Sequence, residues 1–145
     1  MSKRLILAIN PGSTSTKFAL FEEESLLFEK ILRHSAEELA DYVRITDQFH
    51  FRRDLIMKEL GDRGTDLEAI AAIVGRGGLV KPIESGIYEV NNKMKVDLTA
   101  GILGEHASNL GGLIADDIAS SLPGAKAYIV DPVVVDELEP VARIS

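Results

Sequence analysis

Leu5–Ile6–Leu7–Ala8–Ile9–Asn10–Pro11–Gly12–Ser13–Thr14–Ser15–Thr16–Lys17–Phe18–Ala19–Leu20–Phe21 is the stretch that decides the fold. The apolar run Leu5 to Ile9 reads as a buried strand. Pro11–Gly12 marks a tight turn, and Phe18–Ala19–Leu20–Phe21 follows as a second strand. The turn between them carries an amide, several hydroxyls and a lysine. Such a turn can hold phosphate oxygens: Gly12 lets the backbone come close, successive N–H groups point into the concavity, and the hydroxyls add donors. It is not the P-loop, which needs G-x-x-x-x-G-K-[ST] feeding a helix. On local sequence alone, a polar hairpin turn stays open beside a phosphate loop, because Gly/Ser/Thr turns are common.

Working outward, 145 residues fit one ordinary domain. A chain of that length buries roughly 70% of its unfolded surface, enough for a core. A net charge of −7 disfavours non-specific binding of nucleic acid or anionic membrane. It leaves room for an anionic substrate, since local positive groups decide that. With no cysteine there is no disulfide framework and no thiolate metal site. No apolar run has the length of a membrane span, and the first residues lack a signal-peptide core. A cytoplasmic location is the expectation.

Three strands are predicted first, over Arg4–Asn10, Thr16–Glu23 and Ser25–Leu32, the last two joined as an antiparallel hairpin at Glu23–Glu24. Ser35–Ala36–Glu37–Glu38 is a capping box. A long helix is expected after it, with Leu39, Tyr42, Val43, Phe49, Ile56 and Leu60 at helical spacing and Gly61 as its stop. Its charges, Arg52 and Arg53 among them, read as a solvated face. A fourth strand, Ala69–Val74, runs into Gly75–Arg76–Gly77–Gly78. An extended stretch at Glu84–Val90, a short helix at Met94–Leu98 and a helix over Glu105–Leu122 follow. That last helix has Leu110, Ile114 and Ile118 inward. Ala127–Val130 is the fifth strand. Candidate polar groups collect where strands end: Asn10 after the first, Arg76 after the fourth, Asp131 after the fifth. In α/β sheets ligands bind at such ends. His106 and Asn109 belong to the first turn of a helix, whose N-terminus favours anions.

Ile9–Asn10–Pro11–Gly12–Ser13–Thr14–Ser15–Thr16–Lys17 resembles the first phosphate loop of the acetate/butyrate kinase family. Pro after Asn is similar to the butyrate kinase branch; acetate kinases are expected to carry Cys there. Arg76–Gly77–Gly78–Leu79, Gly104–Glu105–His106–Ala107–Ser108–Asn109–Leu110–Gly111 and Val130–Asp131–Pro132–Val133–Val134–Val135–Asp136–Glu137–Leu138 follow in family order. The resemblance implies an α/β fold of the ribonuclease-H-like, actin-like ATPase kind. Its mixed five-stranded sheet has the order β-β-β-α-β-α-β with flanking helices. It also implies that residues 1–145 form the N-terminal domain of a longer enzyme, the nucleotide-binding half lying beyond residue 145. A natural single-domain protein is the alternative.

The reaction implied is ATP + butyrate ⇌ ADP + butyryl phosphate, with Mg²⁺ as cofactor. A carboxylate is already ionised at neutral pH and needs no general base. The task is to bring an anionic nucleophile to an anionic phosphoryl group, which calls for cations, amides and metal in line. By the resemblance, Asn10, Gly12, Ser13, Thr14 and Ser15 hold the transferred phosphoryl group. Lys17 either joins them or lies on the sheet surface by alternation. Arg76 suits bidentate contact with a carboxylate or phosphate and is favoured as a substrate ligand; pairing with a protein carboxylate is the alternative. His106 is implied as a hydrogen-bond donor to the transferring phosphoryl, with Asn109 beside it. Asp131 is implied to orient Mg²⁺, as hard cations take oxygen ligands. His34 and His50 receive no functional role. Pro132–Val135 and Ile83–Ile87 offer apolar side chains for an alkyl pocket.

Small-molecule partners, butyrate or butyryl phosphate with ATP or ADP, and a homo-oligomeric assembly are expected, without nucleic acid or membrane. The isolated chain is expected to be inactive. The rivals are a kinase for acetate, propionate or a branched-chain acid, and a non-catalytic domain that acts by binding partners.

Overall fold

The computed structural model describes residues 4–76, 87–100 and 109–130. The predicted strands appear as β1 (Leu5–Pro11), β2 (Ser15–Glu22), β3 (Ser25–Arg33), β4 (Ile70–Arg76) and β6 (Lys126–Val130). The expected extended stretch contributes a further short strand, β5 (Ile87–Glu89), which pairs antiparallel to β6 at the sheet edge. The sheet order is β3-β2-β1-β4-β6-β5. β1, β2 and β3 form an antiparallel meander, whereas β1, β4 and β6 run parallel. Parallel neighbours need crossovers, and helices supply them. The helices are α1 (Ala36–Leu39), α2 (Phe49–Asp62), α3 (Asn92–Ala100) and α4 (Asn109–Ser120).

Alternation along β1 explains its unbroken apolar run. Leu5, Leu7 and Ile9 join Phe18, Leu20, Ile56, Leu60, Ile73, Leu110, Ile114 and Ile118 in the main core. Ile6 packs on the opposite face with Ala19, Phe21, Ala72 and Val74. A strand buried on both faces shows no polar alternation. Leu110, Ile114 and Ile118 are the inward stripe expected of α4.

The long helix expected after Ser35 is broken. The capping box forms, with the Glu38 amide donating to Ser35 Oγ at 3.1 Å and the Ser35 amide to Glu38 Oε1 at 2.8 Å. Yet α1 ends at Leu39. Arg44 is extended, its amide donates to the Asp47 carboxylate at 3.0 Å, and a 3-10 turn over Ile45–Gln48 leads into α2. Val43, Ile45 and Thr46 are β-branched and poor helix formers, and Asp47 offers a competing cap. The end of α2 is also displaced from Gly61. Gly64 adopts φ +71°, the Gly64 amide donates to Gly61 O, and the Thr65 amide donates to Leu60 O. This is a Schellman closure that favours glycine at that position.

Candidate functional site

The C-terminal ends of β1, β4 and β6 lie at one edge of the sheet because the three strands are parallel. Ile9 is paired with Gly75 and Arg76 with Val130, so Asn10, one residue before the end of β1, and Arg76, the last residue of β4, lie at the ends of adjacent strands. Alternation puts both on the sheet face of Ile6, Ala72 and Val74. Lys17, the cross-strand partner of Asn10, shares that face. Its ammonium lies 3.5 Å from the Glu29 carboxylate, both side chains nearly half exposed. Lys17 therefore takes the sheet-surface position that alternation allowed.

Residues 12–15 form a tight connection at this edge. The Gly12 amide donates to Ser15 O at 2.7 Å, which closes the turn, and Ser13 and Thr14 are exposed. The carbonyl oxygens are turned toward the protein. The His34 amide donates to Thr14 O at 2.8 Å. Arg52 reaches the other three: Nη1 donates to Gly12 O at 2.6 Å and Ser15 O at 3.0 Å, and Nη2 to Ser13 O at 3.1 Å. Among the described residues, no acceptor meets the Ser13 and Thr14 amides. A loop with its acceptors held inward and its donors facing out is built to receive an anion.

Arg52 corrects the sequence reading, which placed it on a solvated helix face. Its relative exposure is 0%. Nε and Nη2 donate to Gln48 Oε1 at 3.0 and 2.7 Å, and Nη1 approaches Thr16 Oγ1 at 3.4 Å. Burial lowers its pKa to about 10, so the guanidinium stays charged at neutral pH. Gln48, Arg52, Ile56 and Leu60 recur every four residues and are all buried. That stripe is the signal in the sequence that places Arg52 inside. Neighbouring Arg53 takes the surface role, bonded to Asp117 on α4 at 2.8 Å and to Asp54; the bonds to Asp117 and then Asp54 raise its pKa.

His34 is also part of this support, a role the sequence did not reveal. It is buried, its Nε2 lies 2.8 Å from Thr16 Oγ1, and its ring packs edge-on against Phe51 at 5.1 Å between centroids. Among the described residues, its Nδ1 has no hydrogen-bond partner. Burial, and then the Arg52 charge, lower its pKa. The ring is therefore neutral near pH 7.

A second contact sets the other side of the edge. A Cβ on Gly75 would overlap the Gly111 carbonyl and lie 2.8 Å from Gly112 N; one on Gly111 would lie 2.7 Å from Arg76 O. Two glycines thus let α4 rest backbone to backbone on the end of β4. This brings the described N-terminal end of α4 (Asn109–Ser120) beside the main chain of Arg76. His106 and Asp131 lie outside the described residues, as do Pro132–Val135 and residues 83–86. Among the described residues, no group of three histidine, aspartate or glutamate side chains is arranged to hold a metal, and no helix is long and apolar enough to cross a membrane.

Over 140 residues, 97% of the chain, 58% of positions are identical to butyrate kinase 2 of Clostridium acetobutylicum. The chain is a relative of the butyrate kinases. Butyrate kinase 1 of the same organism is 56% identical over the same length. The chain spans 39% of the length of each of these butyrate kinases. The crystal structure of Porphyromonas gingivalis acetate kinase superposes with a TM-score of 0.56 at 18% identity, over 90% of this chain and 37% of that one. At that identity the superposition speaks to the fold, which is the acetate-kinase-like, actin-like α/β arrangement. No family model matches the chain.

Proposed function

We propose that this chain supplies the phosphoryl-binding part of a short-chain carboxylate kinase, ATP + butyrate ⇌ ADP + butyryl phosphate, and that it forms the N-terminal domain of that enzyme. The observation that carries the reading is the 12–15 loop. Its carbonyl oxygens are held by Arg52 and the His34 amide, while Ser13 and Thr14 are exposed and, among the described residues, no acceptor meets their amides. In this reading those donors and Asn10 receive the transferred phosphoryl group, and Arg76, on the same sheet face, receives the carboxylate of the acid. Donors fixed before the reaction stabilise developing charge without having to reorganise. His106 and Asn109 would add a donor and a helix N-terminus from the start of α4. The kinship with butyrate kinases supports butyrate over acetate, propionate or a branched-chain acid.

ATP and Mg²⁺ are proposed as substrate and cofactor, with Asp131 as the metal's partner. When bound, the ion would neutralise phosphate charge. Lys17, engaged with Glu29, is assigned no part. A cytoplasmic, homo-oligomeric enzyme with small-molecule partners completes the proposal.

An amide NMR titration of the chain with inorganic phosphate tests the loop reading. Saturable shifts at Ser13, Thr14 and Asn10 are expected. A well-dispersed spectrum with no shift at these residues would overturn it.

A further inference from the structure

The feature of this structure that the reaction does not require on its face is the charge of Arg52. An arginine with no exposed surface normally has a carboxylate partner, because an unpaired buried charge is costly. Among the described residues Arg52 has none. Its donors go to neutral oxygens only: Gly12 O, Ser13 O, Ser15 O, Gln48 Oε1 and Thr16 Oγ1. The depression of its pKa has burial as its cause, with no opposing acidic neighbour. Three of the acceptors are consecutive or nearly consecutive carbonyls of one loop, and the Gly12 and Ser13 carbonyls belong to the same trans peptides as the Ser13 and Thr14 amides, which therefore point the other way.

We propose that Arg52 is a positioning residue that shapes the 12–15 loop for an anion and supplies, through the loop, the positive charge the anion answers. The planar guanidinium fork meets three carbonyls at fixed angles, which a lysine ammonium cannot reproduce. Drawing the carbonyls inward turns the Ser13 and Thr14 amides outward. The peptide dipoles between the guanidinium and the anion are then aligned, positive end toward the ligand. Gln48 fixes the fork, since its Oε1 accepts from both Nε and Nη2. Arg52 touches no reacting atom; it acts through the loop. The ligand class is a phosphoryl group or inorganic phosphate. This inference rests on the loop reading under Proposed function.

The test measures the dissociation constant of inorganic phosphate by amide shifts of Ser13 and Thr14 in the wild-type chain and in Arg52→Lys, Arg52→Ala and Gln48→Ala. Core signals of Ile73 and Ile114 report whether each variant is native. Affinity is expected to fall by about tenfold or more in Arg52→Lys, the loss of charge-assisted hydrogen bonds. A smaller fall is expected in Gln48→Ala. Ethylguanidinium added to Arg52→Ala should restore the Ser13 and Thr14 shifts, which ethylammonium should not do. A purely structural arginine would lower stability and leave the phosphate affinity of the folded fraction unchanged. Wild-type affinity in native Arg52→Lys and Gln48→Ala overturns the inference and leaves the loop reading standing. No phosphate shift in the wild-type chain overturns both. Should Arg52→Lys not fold, Gln48→Ala keeps the guanidinium and decides alone: weaker binding supports the inference, unchanged binding overturns it.

Discussion

Gly75 and Gly111 meet backbone to backbone, so that a Cβ on Gly75 would overlap the Gly111 carbonyl and one on Gly111 would lie 2.7 Å from Arg76 O. The obstacle on each side is main chain, which cannot swing aside as a flexible side chain can. Gly75→Ala must therefore push α4 from β4, at a cost of about 1–3 kcal/mol in the manner of an overpacked core. Chemical denaturation should show a lower midpoint with an unchanged slope. The shift should also reach Arg76 and Asn109, visible as amide shift changes there. An unaltered midpoint would mean that the two elements have room the structure does not show.

Arg52 and Arg53 are adjacent in sequence and should differ sharply in consequence. Arg52→Ala leaves Gly12 O, Ser13 O and Gln48 Oε1 without the guanidinium donor, while Ser15 O keeps the Gly12 amide, and should destabilise by about 1–3 kcal/mol for each acceptor left unsatisfied. Arg53 spans α2 and α4 through Asp117 with side chains 26% and 39% exposed. Arg53→Ala should cost about 1 kcal/mol or less, and less still at high salt. Urea unfolding of both variants at low and high salt makes the comparison. Equal losses would contradict the burial assignment.

His34 gives a pH dependence with a definite sign. Burial and Arg52 hold its folded pKa below the ordinary 6.5. As pH falls through 6.5, the unfolded chain takes up the proton first, so stability is lost. The contribution is complete above that value and declines from it down to the folded pKa. His34→Gln keeps a polar partner for Thr16 and cannot titrate. Its stability should fall less steeply than wild type between pH 6.5 and 5. Parallel curves would show that His34 titrates normally.

Asn10 and Arg76 carry the proposed chemistry and can be separated by kinetics. In a chimera joining residues 1–145 to the remaining sequence of Clostridium acetobutylicum butyrate kinase 2, Arg76→Ala should raise the KM for butyrate. Asn10→Ala should chiefly lower kcat. Losses of about 100-fold in kcat/KM are expected for groups that bear on transferring charge. A KM for butyrate unmoved by Arg76→Ala would return that residue to a structural role.

Much of the fold was legible because local signals and global topology agree. The apolar run of β1, the alternation of Phe18 and Leu20, and the spacing of Leu110, Ile114 and Ile118 each gave an element in the right place. The break between α1 and α2 was not legible from periodicity, since Leu39, Tyr42 and Phe49 keep helical spacing across it. The competing Asp47 cap decides it. The loop was legible as a phosphate-binding candidate from its residue types. Its support was not, because Arg52 reaches it from 37 residues away and His34 reaches the adjoining Thr16 from 18. Charge alone suggested a solvated arginine, whereas its place in the Gln48–Ile56–Leu60 stripe pointed inward.

The most direct measurement is acyl phosphate formation by the same chimera, trapped with hydroxylamine, with MgATP and butyrate, acetate or propionate supplied separately. The account predicts butyryl hydroxamate as the main product, and none from residues 1–145 alone. A folded chimera that binds phosphate at Ser13 and Thr14 but forms no acyl hydroxamate from any of these acids would contradict it.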